Sequence, residues 1–297
     1  MQTQQNVDLK QFTTVKSPAI ASHFTTVKTR EELIEAVRQG YKQNLEVMVI
    51  GGGSNTVFAT ETVNKFVIRN QYFNFEVVEE SDNTADVKVS SGLPISILIN
   101  KTVEKGLEGF EYHQGLPGSV GGALHMNSKW TKPLMYFGDR LISAVLLDIG
   151  GNEKTVDRDY FNFSYDFSEL QNTKEILVEA VYRLTKADPT VLKQRASEAL
   201  VYRKETQPFG VASSGCMFQN VDGKSAGELI DKAGLKGVRV GNFVVSEKHA
   251  NFIINEGDGK VEDLKKLLEL VKTKVKEVHG VELKEEVVYV SSEKRIE

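Results

Sequence analysis

Two glycine-rich stretches and a lone thiol are the residues best suited to chemistry in this sequence. Gly51-Gly52-Gly53-Ser54-Asn55 follows an apolar run at residues 45–50. Successive glycines let a backbone turn at positive φ and bring N–H groups close to an anion, and Ser54 and Asn55 add short donors. A plain tight turn between two strands would use the same residues. The run lacks the G-x-G-x-x-G spacing of a Rossmann fingerprint and the Lys-Ser/Thr that closes a Walker A loop. The second stretch runs from Gly115 through Leu116, Pro117, Gly118, Ser119, Val120, Gly121 and Gly122 to Ala123. It is either an irregular loop or a bare-walled one suited to a large flat ligand carrying a diphosphate. Two such loops in one chain point to a dinucleotide-type cofactor held outside a Rossmann fold.

Cys216 lies in Ser213-Ser214-Gly215-Cys216-Met217-Phe218-Gln219-Asn220. A lone cysteine usually behaves as a small buried hydrophobe, but these neighbours are more polar than a core strand. A thiol titrating near its ordinary value of about 8.5 stays mostly protonated at neutral pH and can donate a proton. Glu286 sits in a terminal run, 281–290, that alternates as a strand. Val281, Leu283, Val287 and Tyr289 would share one face, with Glu282, Lys284, Glu286 and Val288 on the other, a pattern that also describes a solvated strand face. His249 either binds a ligand or caps a turn. The five histidines, His23, His113, His125, His249 and His279, have no metal-ligand spacing, so no metal is expected.

The elements that must position these residues are alternately helical and extended. Thr29 with Glu32 reads as a capping box for a helix through about residue 43. Residues 45–50 and 66–70 read as strands on either side of the first glycine loop. Strands are expected near 87–91, 144–150 and 176–184, and a helix at 95–107 that stops at Gly106. Pro189 starts a helix over 190–205. Residues 223–237 read as a helix with a glycine stop, and 242–246 and 251–255 as short strands. Val261, Leu264, Leu267, Leu268, Val271, Val275 and Val278 recur at helical spacing, giving one apolar face.

The chain has 297 residues, and at roughly 150 per domain that suggests about two domains. Lys plus Arg is 37 and Asp plus Glu 41, a net charge of -4. That balance gives no support for a nucleic-acid-binding face. One cysteine makes no internal disulfide. No signal-peptide core and no apolar run of roughly 20 residues is present, so a cytoplasmic protein off the membrane is expected.

Taken in order, these segments resemble the UDP-N-acetylenolpyruvoylglucosamine reductases, also called UDP-N-acetylmuramate dehydrogenases. Residues 47–58 look like the family's strand and flavin-diphosphate loop. Residues 106–111, leading into 115–123 and then Met126-Asn127, look like its second flavin loop. Residues 213–220 look like its substrate and proton-donor motif, and 233–237, 245–255 and 283–287 like its C-terminal domain. Each motif alone is weak; the ordered set is specific.

The resemblance implies a mixed α/β chain with an FAD-binding fold of the vanillyl-alcohol-oxidase/PCMH type. Two α/β subdomains (1–70 and 71–187) would hold FAD through Gly51, Gly52, Gly53, Ser54, Asn55, Gly115, Pro117, Gly118, Ser119, Gly121 and Gly122. A C-terminal α/β domain (188–297) would bind the UDP-sugar. The implied reaction reduces UDP-N-acetylglucosamine enolpyruvate to UDP-N-acetylmuramate with NADPH, in cell-wall precursor synthesis, by a monomer. By position, Cys216 stands where the family usually has a proton-donating serine, and Glu286 on its catalytic glutamate. Asn220 matches a substrate-contacting asparagine, and Arg203, Gln207 and His249 fall on the substrate side.

Three departures stand out. The family's Tyr-Arg-x-Ser appears as Tyr165-Asp166-Phe167-Ser168, so an aspartate replaces an arginine that would support carboxylate charge. Arg158, Lys129 and Lys204 are the candidate replacement cations. Thr206 stands where a lysine usually precedes Gln207-Pro208. The segment after the second loop reads Asn127-Ser128-Lys129-Trp130, without the usual glycines. The short spacing from Tyr165 to Arg203 matches the shorter, type II-like subtype. Asp166 and Thr206 also keep open a flavin- or UDP-sugar-binding paralogue with impaired catalysis, and the flavin loops alone would suit an FAD oxidase of the same fold.

Overall fold

A computed structural model describes residues 2–290. The described residues group into two compact units, the first taking residues 2–4, 24–52 and 65–203, the second 5–23, 53–64 and 204–290. The grouping is not consecutive: residues 5–23 and 53–64 of the expected first segment join the C-terminal unit. The chain passes from one unit to the other inside the first glycine loop, between Gly52 and Gly53.

In the first unit, Thr29 caps the helix Arg30–Lys42 by accepting from the Glu32 amide. The Glu32 carboxylate reaches back to the Lys28 amide at 2.6 Å, one residue earlier than a capping box requires. The helix lays Leu33, Ile34, Ala36 and Val37 against Phe66, Ile68, Leu147 and Val178. The strand Val47–Ile50 runs parallel to Thr62–Asn70, pairing Val47 with Phe66 and Ile50 with Arg69. It therefore delivers its C-terminal end, where open α/β sheets place ligands, directly into Gly51.

The larger sheet of this unit is antiparallel, in the order Glu153–Asp157, Leu141–Leu147, Ile176–Lys186, Thr84–Ser90 and Phe75–Glu80. The helix Ile95–Glu104 contributes Leu98, Ile99 and Val103 to its core, beside Val87, Val89, Leu124, Phe137, Ala180 and Tyr182. The short helix Val120–His125 grows out of the second glycine loop, capped by Ser119. Pro189–Thr206 ends the unit as a helix, as Pro189 predicts.

The second unit holds an antiparallel sheet of Arg239–Val240, Phe243–Val245 and Ile253–Asn255. The helix Val261–His279 buries Val261, Leu264, Leu267, Leu268, Val271 and Val275 with Met217, Phe218 and Phe243. Val278 departs from the expected face and is half exposed. The expected helix at 223–237 shrinks to Ala226–Lys232. The expected terminal strand also shrinks, to Val288–Val290, which runs parallel to Thr56–Phe58.

His113 is fully buried in the first unit, edge-on to Phe137. Burial pulls its pKa from 6.5 to about 4, helped by the Arg203 charge. Below pH 6.5 the unfolded chain takes up a proton that the folded chain refuses until about pH 4. Stability from this group is thus complete above 6.5 and falls as pH drops through that window. Between pH 7 and pH 5 the loss is about 2 kcal/mol. Denaturant titrations at both pH values should show it in the parent chain, and His113→Gln should remove that part of the slope.

Candidate active site

The two glycine loops meet as main chain on main chain. A Cβ on Gly51 would sit 2.1 Å from Ser119 Oγ, and one on Gly52 2.8 Å from the Gly118 Cα. Any side chain at 51 or 52 would push the loops apart. Gly53 turns at φ +58°, with its missing Cβ 2.0 Å from the Phe12 carbonyl oxygen. These glycines are therefore demanded first by packing. What the packing creates is a patch of bare backbone and small hydroxyls, a donor set that a dinucleotide diphosphate accepts. Gly118 and Ser119 line that contact, whereas the Gly121 amide donates to the Ser91 carbonyl and the Gly122 amide to Ser119 Oγ, Pro117 has no N–H, and Gly115 turns at φ +83° against Leu200 and Arg203. The residues present fit an FAD diphosphate.

Ser54 and Asn55 belong to the second unit, where the Cys216 segment is pinned between two others. The Met217 amide donates to the Asn251 carbonyl at 2.8 Å, and the Phe218 amide to Asn251 Oδ1 at 2.9 Å. Asn251 returns a bond from Nδ2 to the Phe218 carbonyl. On the other side, the Glu286 amide donates to the Met217 carbonyl at 2.8 Å, and the Gln219 amide to the Lys284 carbonyl at 2.9 Å. Asn55 Nδ2 then donates to the Glu286 carbonyl at 3.3 Å. Cys216 and Glu286, seventy residues apart in sequence, thus flank one residue, Met217. Cys216 is half-buried, as is Glu286.

The substrate-side candidates divide. Asn220 Oδ1 accepts from the Ala226 amide, so that end of the side chain braces the helix Ala226–Lys232. His249 caps a turn: its Nδ1 accepts from the Asn251 amide at 3.3 Å and its ring meets Phe252 edge-on. Burial lowers its pKa below the ordinary histidine value. Gln207 is half-buried just past the helix Pro189–Thr206. Arg203 is buried in the first unit, its guanidinium 5.1 Å over the Trp130 ring and its stem beside Gly115. It touches the second glycine loop.

Asp166 is buried and pairs with Lys129, Oδ1 to Nζ, at 2.7 Å. Of the candidate replacement cations, Lys129 is the one at this carboxylate. Arg158 donates to the Gly138 carbonyl and lies over Phe163, while Lys204 lies over Phe209.

Sequence reading assigned no role to Asn251, Trp130 or Tyr202. The sequence Lys129-Trp130-Thr131-Lys132, with its lone tryptophan between two cations, was the available signal for Trp130 and Tyr202. Asn251 gave none, since a buried asparagine reads like an exposed one. Among the described residues no group of three or more His, Cys, Asp or Glu is placed to hold a metal, and no helix is long and apolar enough to cross a membrane.

Residues 21–156 match the FAD binding domain family, and residues 207–290 match the UDP-N-acetylenolpyruvoylglucosamine reductase C-terminal domain. The first match spans both glycine loops; the second spans Cys216 and Glu286. The chain is 35% identical to the UDP-N-acetylenolpyruvoylglucosamine reductase of Protochlamydia amoebophila, across 97% of this chain and 94% of that one. It is 33% identical to the Chlamydia felis enzyme, across 94% and 91%. The crystal structure of the Thermus caldophilus reductase superposes with a TM-score of 0.81 at 29% identity, covering 97% and 98%. p-Cresol methylhydroxylase, at a TM-score of 0.55 and 10% identity, shares the fold, covering 94% of this chain and 84% of that one. Sequence, fold and the order of the motifs agree: the chain belongs to the UDP-N-acetylenolpyruvoylglucosamine reductase family.

Proposed function

We propose that the chain is the FAD-dependent reductase that converts UDP-N-acetylglucosamine enolpyruvate to UDP-N-acetylmuramate with NADPH. The observation that carries the reading is the pinning of Cys216 and Glu286 on either side of Met217. FAD, held by the glycine loops, supplies the hydride chemistry that links NADPH to the enolpyruvyl double bond. The chain's own residues supply the rest. As the terminal vinyl carbon gains hydride, negative charge grows on the neighbouring carbon and its carboxylate. Cys216 Sγ gives that carbon its proton and regains one from solvent. The Glu286 carboxyl, acting in its protonated form, donates a hydrogen bond to the enolic charge, which a preorganised group does without reorganisation at the moment of reaction. NADPH and one proton are consumed per substrate reduced.

The reading includes a cytoplasmic monomer; the single thiol, which makes no internal disulfide, supports the reducing compartment. Light scattering on the purified protein tests the monomer. An anaerobic visible spectrum tests the function. The flavin band should bleach with NADPH and return on adding the enolpyruvyl substrate. Bleaching without return would leave a flavin protein that is not this reductase. No band after reconstitution with FAD would remove the cofactor and the function together.

A further inference from the structure

We infer that a cleft in the first unit, between the hairpin at 129–136 and the helix Pro189–Thr206, is a binding site for a short apolar peptide with free ends. The cleft encloses about 560 Å³, within the range of small-molecule sites. Every residue lining it belongs to the first unit. None of them belongs to either glycine loop or to the Cys216 segment. The occupant assigned to it is thus separate from the cofactor and from the proposed substrate.

The walls carry both signs of charge. Arg195, on the helix, divides its Nη1 between Glu108 Oε2 and Glu111 Oε1, each at 3.3 Å, and lies 5.9 Å from the centroid of the Tyr112 ring. Glu111 is the anchor: it is fully buried, and its other oxygen accepts from the Gly109 amide at 2.8 Å. Arg140 also lines the cleft, and its exposed guanidinium makes no ion pair or hydrogen bond among the described residues. Its stem is nevertheless placed. Cγ lies 3.6 Å from where a Cβ on Gly109 would sit, and the Arg140 carbonyl accepts from the Arg183 amide at 2.9 Å. Asp139, the residue before it, accepts the Tyr136 amide on Oδ2 at 2.8 Å.

These charges narrow the choice of occupant. A simple anion would suit Arg140 but would meet Glu108 and Asp139. A simple cation would meet Arg140 and Arg195. Like charges brought together oppose binding. A molecule carrying both a carboxylate and an ammonium answers both signs, the carboxylate through a charge-assisted bond to a guanidinium. The rest of the wall is apolar, formed by Pro133, Leu134 and Met135. Met135 pairs across the hairpin with the buried Trp130, and Leu134 is 60% exposed. A single exposed leucine is ordinary, but this one lines a cleft together with Arg140 and Asp139, where an apolar side chain can cover it while its own backbone ends meet the charges. A dipeptide of apolar residues has both end charges and the side chains for this wall.

The test titrates L-leucyl-L-leucine into the FAD-loaded protein in a calorimeter. The dipeptide should bind saturably at millimolar concentration or below. Its N-acetyl and C-amide forms should each bind about tenfold more weakly, the scale of one charge-assisted hydrogen bond. Arg140→Gln should weaken the free dipeptide by about the same factor and leave the C-amide form unaffected. Asp139→Asn, which keeps an oxygen for the Tyr136 amide, should weaken the free dipeptide and leave the N-acetyl form unaffected. Both residues are exposed, so both variants should fold and keep the parent's flavin spectrum. A parent protein that shows no saturable binding would overturn the inference. So would binding indifferent to the blocked ends or to either substitution. Dependence on the carboxylate alone would make the cleft an anion site and overturn the class of ligand assigned to it.

Discussion

Cys216→Ala is expected to slow the substrate-driven return of the flavin band by roughly 10²–10⁴-fold, the usual contribution of a positioned proton donor. Cys216→Ser should stay much closer to the parent. The thiol is half-buried and its neighbours are held through the main chain, so truncation leaves those main-chain bonds in place. Met217 and Phe218 remain tied to Asn251, and Met217 to Glu286. Serine preserves a hydroxyl proton at the same Cβ but is the weaker acid, so its rate should respond less to pH near the thiol range. The NADPH half-reaction needs no proton from this position and should not change in either variant. Equal reoxidation rates in the alanine variant and the parent would assign the proton to another group.

The fold was largely legible because its elements are local in cause. Thr29 caps where a cap was expected, and Gly106 and Pro189 stop and start helices where their backbone constraints say they should. The apolar face of Val261–His279 is right through Val275 and fails at Val278, in the last turn before Gly280 ends the helix at φ +67°. Spacing reports a face; it does not report where the partner surface stops. The terminal run fails for a different reason. Its hydrophobic alternation is real, with Leu283 and Val287 buried. Its backbone changes partners midway, however, bonding residues 217–219 through 284–286 and then Asn55 and Thr56–Phe58 from 288 onward. A change of partner breaks a ladder without altering a two-residue period.

The site was legible in its parts and not in its joints. Both glycine loops were visible as loops, but their mutual contact through Gly51–Ser119 and Gly52–Gly118 is a tertiary fact. Asp166 was visible as a reversed charge, and Lys129 only as one of several candidate cations. Which cation answers it depends on a turn held by Asn127, Ser168 and Gln171. Asn251 was not visible at all, because its importance lies in two bonds to the Phe218 backbone.

Glu286→Gln should lower the reoxidation rate by roughly 10²–10³-fold while leaving the substrate concentration dependence nearly unchanged. The amide keeps the size of the side chain and most of its hydrogen-bonding capacity. It loses the carboxyl's ability to share a proton and to shift charge as the enolic carbon is protonated. Main-chain bonds fix where the side chain begins: the amide of residue 286 donates to Met217 and its carbonyl accepts from Asn55. Neither bond involves the carboxyl, so both survive the substitution. Glu286→Asp keeps the carboxyl but withdraws it by one methylene. A displacement of about 1 Å can cost roughly 10²-fold, so the aspartate variant should be nearly as slow as the glutamine one. If both variants turned over at the parent rate, the carboxyl would be a solvated surface group, the alternative that the alternating pattern of this run allowed. If only the glutamine variant were slow, the carboxyl's proton would matter and its exact placement would not, a looser site than the Met217 anchoring implies.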